Sequence, residues 1–339
     1  MTQFTFSRVF KNTALSIVAS VAVLFGASQT ALAQGQSGSL LNYDNLSFFE
    51  EGLAQDVGGA TLRFNFLMDQ AYIDNPPKLA NRWKTTLQFS TSLETELSNG
   101  WQTGIAYTGI FDTDDDGNDD HLYALFVNAP WGTLSAGRVT GLLENTVARK
   151  NRVGNATLTA GRGLGGLDRT GIHYVQTINA YQIHFALDQN GDAQGALFFE
   201  APIGIGAHTF GIRGGTGHLQ ERTPRLGTGD IEEVAGFYGY TLGSLSVGFE
   251  YGIQDISIDG TVGSNTQRYS SVGANYKRGR TSYSVEAGRT EFLGATARSA
   301  GIGLRYDIAR GFSGNLGLNY SDGGILDTWR IPVSIRYEF

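Results

Sequence analysis

The nine residues from Ile331 to Phe339 (IPVSIRYEF) put an apolar or aromatic side chain at every odd position. Side chains of a strand alternate between its two faces. Ile331, Val333, Ile335, Tyr337 and Phe339 therefore form one apolar stripe, and Ser334, Arg336 and Glu338 a polar one. Such a ribbon is built to meet hydrocarbon on one side and water on the other. Placed last in a chain, it fits a closed transmembrane barrel: the final strand pairs with the first, no edge remains, and lipid touches only the apolar stripe.

The same period of two recurs along the chain. Trp83, Leu87, Phe89, Leu93 and Leu97 share a face, with Lys84, Gln88, Ser90, Ser92, Glu94 and Glu96 on the other. The turn Ser98-Asn99-Gly100 follows, and Trp101, Ile105, Tyr107 and Phe111 resume the apolar face. Further alternating runs are Tyr181 to Leu187, Leu245 to Ile253 and Phe312 to Tyr320. Strands are expected to begin near residues 61, 83, 101, 121, 133, 170, 181, 193, 207, 233, 245, 267, 281, 298, 312 and 329, about 16 in all and an even number, as single-chain bacterial barrels require. The phase is unclear near 193, 233, 267 and 281.

The connections alternate between short and long. Short ones are expected near 98–100, 129–132, 178–180, 202–206, 242–244, 278–280 and 308–311. Long ones are expected near 72–82, 112–120, 140–168, 215–232, 255–266, 291–297 and 321–328, with the link at 189–192 short for its side. Outer-membrane barrels carry tight turns on the periplasmic side and longer loops outside, so the alternation implies an orientation. Trp101, Trp131, Tyr181, Tyr240, Tyr276, Tyr306, Phe312 and Phe339 lie beside the short turns, where a girdle at headgroup level is expected.

Composition agrees with strands and turns. Glycine occupies 47 of 339 positions without a G-X-Y period, and aromatics at 12% are too many for a disordered tract. There is no cysteine, hence no disulfide. Pro76, Pro77, Pro130, Pro202 and Pro224 are expected between strands, while Pro332 falls inside one and predicts a bulge or an unpaired position. At the N-terminus, Arg8 and Lys11 precede an apolar stretch from Ala14 to Ala27 and the A-x-A site Ala31-Leu32-Ala33, which together predict a signal peptide over residues 1–33. Residues 34–60 are expected to be a periplasmic lead-in with a short helix around Leu46 to Leu53, and residues 61–339 the barrel. No later segment is apolar enough for a spanning helix, and the mean hydropathy is negative. Without Arg8 and Lys11, 23 basic residues face 32 acidic ones, a net charge of −9 that argues against nucleic acid.

The chain ending on Phe339 resembles the terminal signature of bacterial outer-membrane proteins, which in that class is read by the barrel-assembly machinery. The run Asn128-Ala129-Pro130-Trp131-Gly132-Thr133-Leu134-Ser135-Ala136-Gly137-Arg138 resembles the aromatic-Gly-Thr-Leu-x-x-Gly-Arg run of Gram-negative general diffusion porins, especially the alphaproteobacterial type. In that family the strand leads into the third external loop, which folds into the barrel; here it leads into the longest connection, 140–168. The resemblance covers residues 121–339, and 34–82 by pattern alone. It implies a homotrimer of sixteen-stranded barrels in the outer membrane of a Gram-negative bacterium, bathed in lipid and lipopolysaccharide, passing small hydrophilic solutes passively. One departure stands out. The inserted loop of many such porins is rich in carboxylates, whereas residues 140–168 carry Arg149, Lys150, Arg152 and Arg162 against Glu144 and Asp168.

A passive pore selects by geometry and fixed charge. Strand parity assigns Arg63, Lys84, Arg138, Arg213, Arg305 and Arg336 to the lumen, together with Glu94, Glu96, Glu250 and Glu338. Constriction candidates are Arg138, Glu144, Arg149, Lys150, Arg152, Arg162 and Asp168. The loop from Asp112 to Asp120 contains D-x-D-x-D-G, and Asp112, Asp114, Asp116 and Asp120 could converge on calcium. An EF-hand is excluded, since Tyr123 stands where its bidentate Glu is needed, and a solvated acidic loop is the alternative. Gly161-Arg162-Gly163-Leu164-Gly165-Gly166 matches G-x-G-x-x-G but lies inside a loop, without the strand and helix a dinucleotide site requires. No cofactor is expected. No H-E-x-x-H or G-x-S-x-G occurs. A passive porin is the reading these features favour; a solute-selective uptake channel and an outer-membrane barrel enzyme are its rivals.

Overall fold

The computed structural model describes residues 53–74, 83–112, 120–140, 163, 166–168, 170–219, 228–260, 264–322 and 328–338. Among them the strands are β1 (Leu53–Val57), β2 (Ala60–Asp74), β3 (Trp83–Glu96), β4 (Gln102–Asp112), β5 (Asp120–Ala129), β6 (Gly132–Arg138), β7 (Thr170–Ile178), β8 (Tyr181–Asp188), β9 (Ala193–Ile203), β10 (Gly206–His218), β11 (Gly229–Leu242), β12 (Leu245–Ile258), β13 (Ser264–Arg278), β14 (Thr281–Phe292), β15 (Ala295–Ala309), β16 (Phe312–Asp322) and β17 (Thr328–Glu338). From β2 onward each strand pairs antiparallel with its neighbour in sequence, and β17 returns to β2 between Ile331↔Asp74 and Glu338↔Leu67. Sixteen strands thus close a barrel.

Strand β1 is an addition to the expected set. It pairs with Ala60 to Phe64, the stretch of β2 that β17 does not reach, so it continues the β17 lane at the seam. Leu53, expected to end a short helix, begins this strand instead; residues 34–52, like the expected signal segment and Phe339, lie outside the described residues. The expected long connection at 291–297 is another departure. It is a two-residue turn, with Leu293 and Gly294 both at positive φ, because β14 and β15 keep pairing to Phe292↔Ala295. Pro202 lies within β9, close to its end, rather than between strands.

Pro332 behaves as a residue without an N–H must. The β16–β17 ladder runs from Phe312↔Tyr337 to Leu316↔Val333, lapses, and resumes at Asn319↔Arg330 in the same register. Towards β16 the position is unpaired rather than bulged, while towards β2 it keeps its place opposite Ile73. Nearby, the N–H of Glu338 donates to the carbonyl of Gly311 at 2.7 Å. A β-carbon on Gly311 would fall 2.0 Å from the carbonyl oxygen of Glu338, so this turn admits only glycine.

The two faces of the wall are reversed relative to a soluble protein. Ile335 is 55% exposed and Ile302 57%, while Ser334 is 2% and Ser90 1% exposed. The rings of Phe249 and Tyr251 and the side chains of Leu316 and Val333 likewise point outward, and none converges on a dry centre. An apolar surface on this scale has no stable exposure to water and calls for a hydrocarbon environment. Aromatic rings mark its two margins. Beside the short turns, Trp101 meets Trp131 at 5.9 Å between ring centroids, Trp131 stacks on Tyr174, and Tyr181 packs on Phe199. At the opposite margin Tyr72 packs on Trp83 and Tyr320 on Trp329. Between Trp329 and Tyr337 strand β17 advances about 26 Å at ~3.3 Å per residue, or ~20 Å along the barrel axis at a tilt near 40°. That suits a lipid-facing band of about 25 Å.

Candidate functional site

The inward row of each strand defines the lumen wall, and most of its arginines are matched by carboxylates. The Nε of Arg63 lies 3.5 Å from Oε2 of Glu94. Arg336 donates through Nε and Nη2 to Oδ2 of Asp69 at 2.8 and 2.7 Å. Arg305 donates to Asp307 at 2.8 Å. Lys84 sits opposite Ala71 in the row of Asp69, and Glu338 opposite Leu67, so both share the inner face. Arg330, opposite Asn319 in that same face, forms no ion pair among the described residues, and its Nε is buried without a hydrogen-bond partner.

The strongest cluster spans β10 to β13. Arg213 donates through Nη2 to Oε1 of Glu233 at 2.6 Å and stands 3.9 Å from Glu250, all three nearly fully buried. The hydroxyl of Tyr269 donates to Glu233 and accepts from Arg213 at 3.3 Å. Two carboxylates face one guanidinium here, and desolvation makes such a group stable only while every member is present. On the neighbouring wall the rings of His173 and His184, both buried, stack 5.5 Å apart, with Nδ1 of His184 3.4 Å from Nε2 of His173.

Parts of the 140–168 connection rest against this inner wall. Leu167 is fully buried against Ala186, Ala196 and Phe198 with Phe237 beside them, all inward-facing residues of β8, β9 and β11. A β-carbon on Gly163 would fall 2.5 Å from Nε2 of Gln254, an inner residue of β12. Gly166 exchanges backbone hydrogen bonds with His218 at 3.0 and 2.8 Å, and a β-carbon on Gly217 would strike the backbone of Gly166. The N–H of Asp168 donates to Oδ2 of Asp188 at 2.9 Å. Oδ1 of Asp188 also accepts from the N–H groups of Asn190 and Asp192, and Asp168 in turn accepts from Gln189. Leu219 repeats the pattern, turning in from β10 onto Ile231 and Ile256.

Register therefore gathers Arg63, Lys84, Arg213, Arg305 and Arg336 on one inner surface with Asp168 at its long-loop end. Arg138 is placed differently from its expected lumen position. It stands opposite Thr170, in the row of Leu134, Ala136 and Ile172, whose side chains face outward; the inner row of β6 is Thr133, Ser135 and Gly137. Glu144, Arg149, Lys150, Arg152 and Arg162 lie outside the described residues, as do Asp114 and Asp116. Asp112 ends β4 and Asp120 begins β5, the latter opposite Ile110. Asp69, Glu233, Tyr269, Asp307, Arg330 and the Asp188 anchor went unmarked in the sequence. Parity with Arg63 would have pointed to Asp69, and parity with His184 to Asp188.

Comparison with solved structures returns outer-membrane barrels. OmpT with loop L8 deleted, an outer membrane protein of Vibrio cholerae, superposes with a TM-score of 0.66 at 14% identity, covering 83% of this chain and all of the other. The anion-selective porin from Comamonas acidovorans gives 0.60 at 12% identity, again over 83% of this chain and the whole of that one. A mutant of the Rh. blastica porin gives 0.55 at 16% identity over the same shares. No family model and no curated protein matches the sequence. The chain thus shares the outer-membrane barrel fold with porins.

Proposed function

We propose that the protein is a porin of the outer membrane of a Gram-negative bacterium, a trimer whose barrels pass small hydrophilic solutes and ions by diffusion. The observation that carries this reading is the reversed wall: an apolar belt outside and, inside, polar rows against which Gly163 and Leu167 of the longest loop are seated. The short turns would face the periplasm and the long loops the exterior, with lipid and lipopolysaccharide around the belt and the barrel-assembly machinery acting during insertion. The Trp131 to Arg138 run supports the alphaproteobacterial type of the family.

Charge placement supports a second element of the proposal. On the wall Arg63, Arg213, Arg305 and Arg336 each face a carboxylate, so their fields largely cancel at a distance. The loop's Arg149, Lys150, Arg152 and Arg162 outnumber Glu144 and Asp168. Selectivity would then follow the loop and lean towards anions. In this reading no residue carries bond-making chemistry. Reversal potentials under a salt gradient test it: changing Arg149, Arg152 and Arg162 to Ala should move the preference towards cations, and an unchanged potential would remove those residues from the constriction. A saturable block by one solute would favour a selective uptake channel instead, and hydrolysis without conductance a barrel enzyme.

A further inference from the structure

We propose that Asp188, Asp192 and His218 form a binding site for a divalent transition-metal cation at the base of the docked loop. Asp188 ends β8, Asp192 closes the tight turn after it, and His218 ends β10, so three fixed elements supply the donors. One ligand atom from each lies within 4.8 Å of the others. His218 Nδ1 is 3.8 Å from Oδ2 of Asp188 and 3.5 Å from Oδ2 of Asp192.

These separations are too long for an imidazolium donating directly to a carboxylate, where about 2.7–2.9 Å is usual. They are close to the spacing of two ligand atoms that share one ion at bonds of about 2.0–2.2 Å, which lie roughly 3–3.5 Å apart. The Nδ1 atom of His218 is buried and, among the described residues, has no hydrogen-bond partner, although it points at two carboxylates. The Asp188 side chain is wholly buried and accepts three backbone N–H bonds, which leaves about one of its four lone-pair directions open. Among the described residues no lysine or arginine pairs with either aspartate. Two carboxylates and an imidazole nitrogen thus converge with no cationic side chain between them among the described residues, and such a set is stable around a positive charge at its centre. An imidazole in the set favours zinc, nickel or copper over calcium or magnesium.

The site has a structural consequence. Asp188 holds the N–H of Asp168, and the backbone of His218 holds Gly166, so an ion shared by the two side chains ties both anchors of the loop together. This inference does not depend on the transport reading.

The test uses the full-length mature chain, refolded in detergent and stripped with chelator, titrated with Zn²⁺ by calorimetry and with Co²⁺ by visible absorption. One Zn²⁺ per chain is expected. Asp192→Asn and His218→Gln should each weaken binding about tenfold or more, a loss even outer-shell changes can reach. His208→Gln, on an outward row beside Tyr238, should bind as the parent does. Both variants keep side-chain size, and their folding is checked by heat-modifiable migration, either one sufficing. No saturable Zn²⁺ binding by the parent, or parent-like binding by a folded variant, overturns the proposal. Channel formation is measured on the same preparations: channels without metal binding defeat this site alone, and metal binding without channels defeats the transport reading alone.

Discussion

The backbone N–H of Asp168 donates to the buried carboxylate of Asp188 at 2.9 Å, and this one bond fixes where the longest loop rejoins the wall. Asp188 is held in turn by the turn that follows it, through Asn190 and Asp192. The anchor is thus a rigid corner of the barrel. The described end of the loop is held by that corner and by the apolar seat of Leu167 one residue earlier.

Leu167→Ala should therefore loosen the loop without disturbing the barrel. A fully buried leucine loses about 2–5 kcal/mol on truncation, and here the loss falls on the docked segment. The expected result is greater open-channel current noise with unchanged β-sheet circular dichroism. Parent-like noise would mean that the seat of Leu167 does not restrain the loop.

Arg213→Gln and Arg305→Gln should differ sharply in stability. Removing Arg213 takes the guanidinium from between two buried carboxylates, Glu233 and Glu250, a loss of about 3–5 kcal/mol. The Arg305–Asp307 pair is partly solvated on both sides and should contribute at most ~1 kcal/mol. Urea unfolding of the two variants in detergent checks the contrast; equal losses would contradict the assignment of Arg213 as the centre of the cluster.

The outward face is tested by charge. Ile302→Arg, midway along β15, should cost ~2–4 kcal/mol for folding into lipid vesicles, whereas Ile205→Arg, in the turn between β9 and β10, should cost about 0–1 kcal/mol. Equal tolerance at both positions would show that hydrocarbon does not touch Ile302.

Arg330→Gln should shift the reversal potential towards cations. Among the described residues this inward-facing guanidinium pairs with no carboxylate, so removing it changes the field that a passing ion meets. A parent-like reversal potential would place Arg330 outside the ion path.

The fold was largely legible because alternation and connection length both follow from one closed wall. The strands expected at 83, 170, 181, 193, 245, 281 and 312 begin at those residues. Where phase was unclear, a physical cause is now visible. Near 193 and 233 the inner face carries Phe198, Ile231 and Phe237, apolar because Leu167 and Leu219 pack on them, so both faces of those strands read as hydrophobic. Near 267 and 281 the outward rows reach Arg268, Arg289 and Arg298, beyond the aromatic margin, so the outer face turns polar. Strand β1 was illegible because its role is to fill a gap left by β17, a relation that exists only after closure. Parity found the wall arginines but not their heights or partners, which depend on register across strands distant in sequence, as with Arg336 and Asp69. The lumen assignment failed at Arg138, because β6 keeps its alternation to its end and Arg138 shares the outer row with Leu134 and Ala136.

Single-channel recording in a planar bilayer tests the central claim most directly. Purified protein that migrates as a folded, heat-modifiable trimer should insert in steps of three conductance units, with ohmic currents and a reversal potential on the anion side under a salt gradient. Folded protein that inserts and stays electrically silent would contradict the reading of this barrel as an open, water-filled pore.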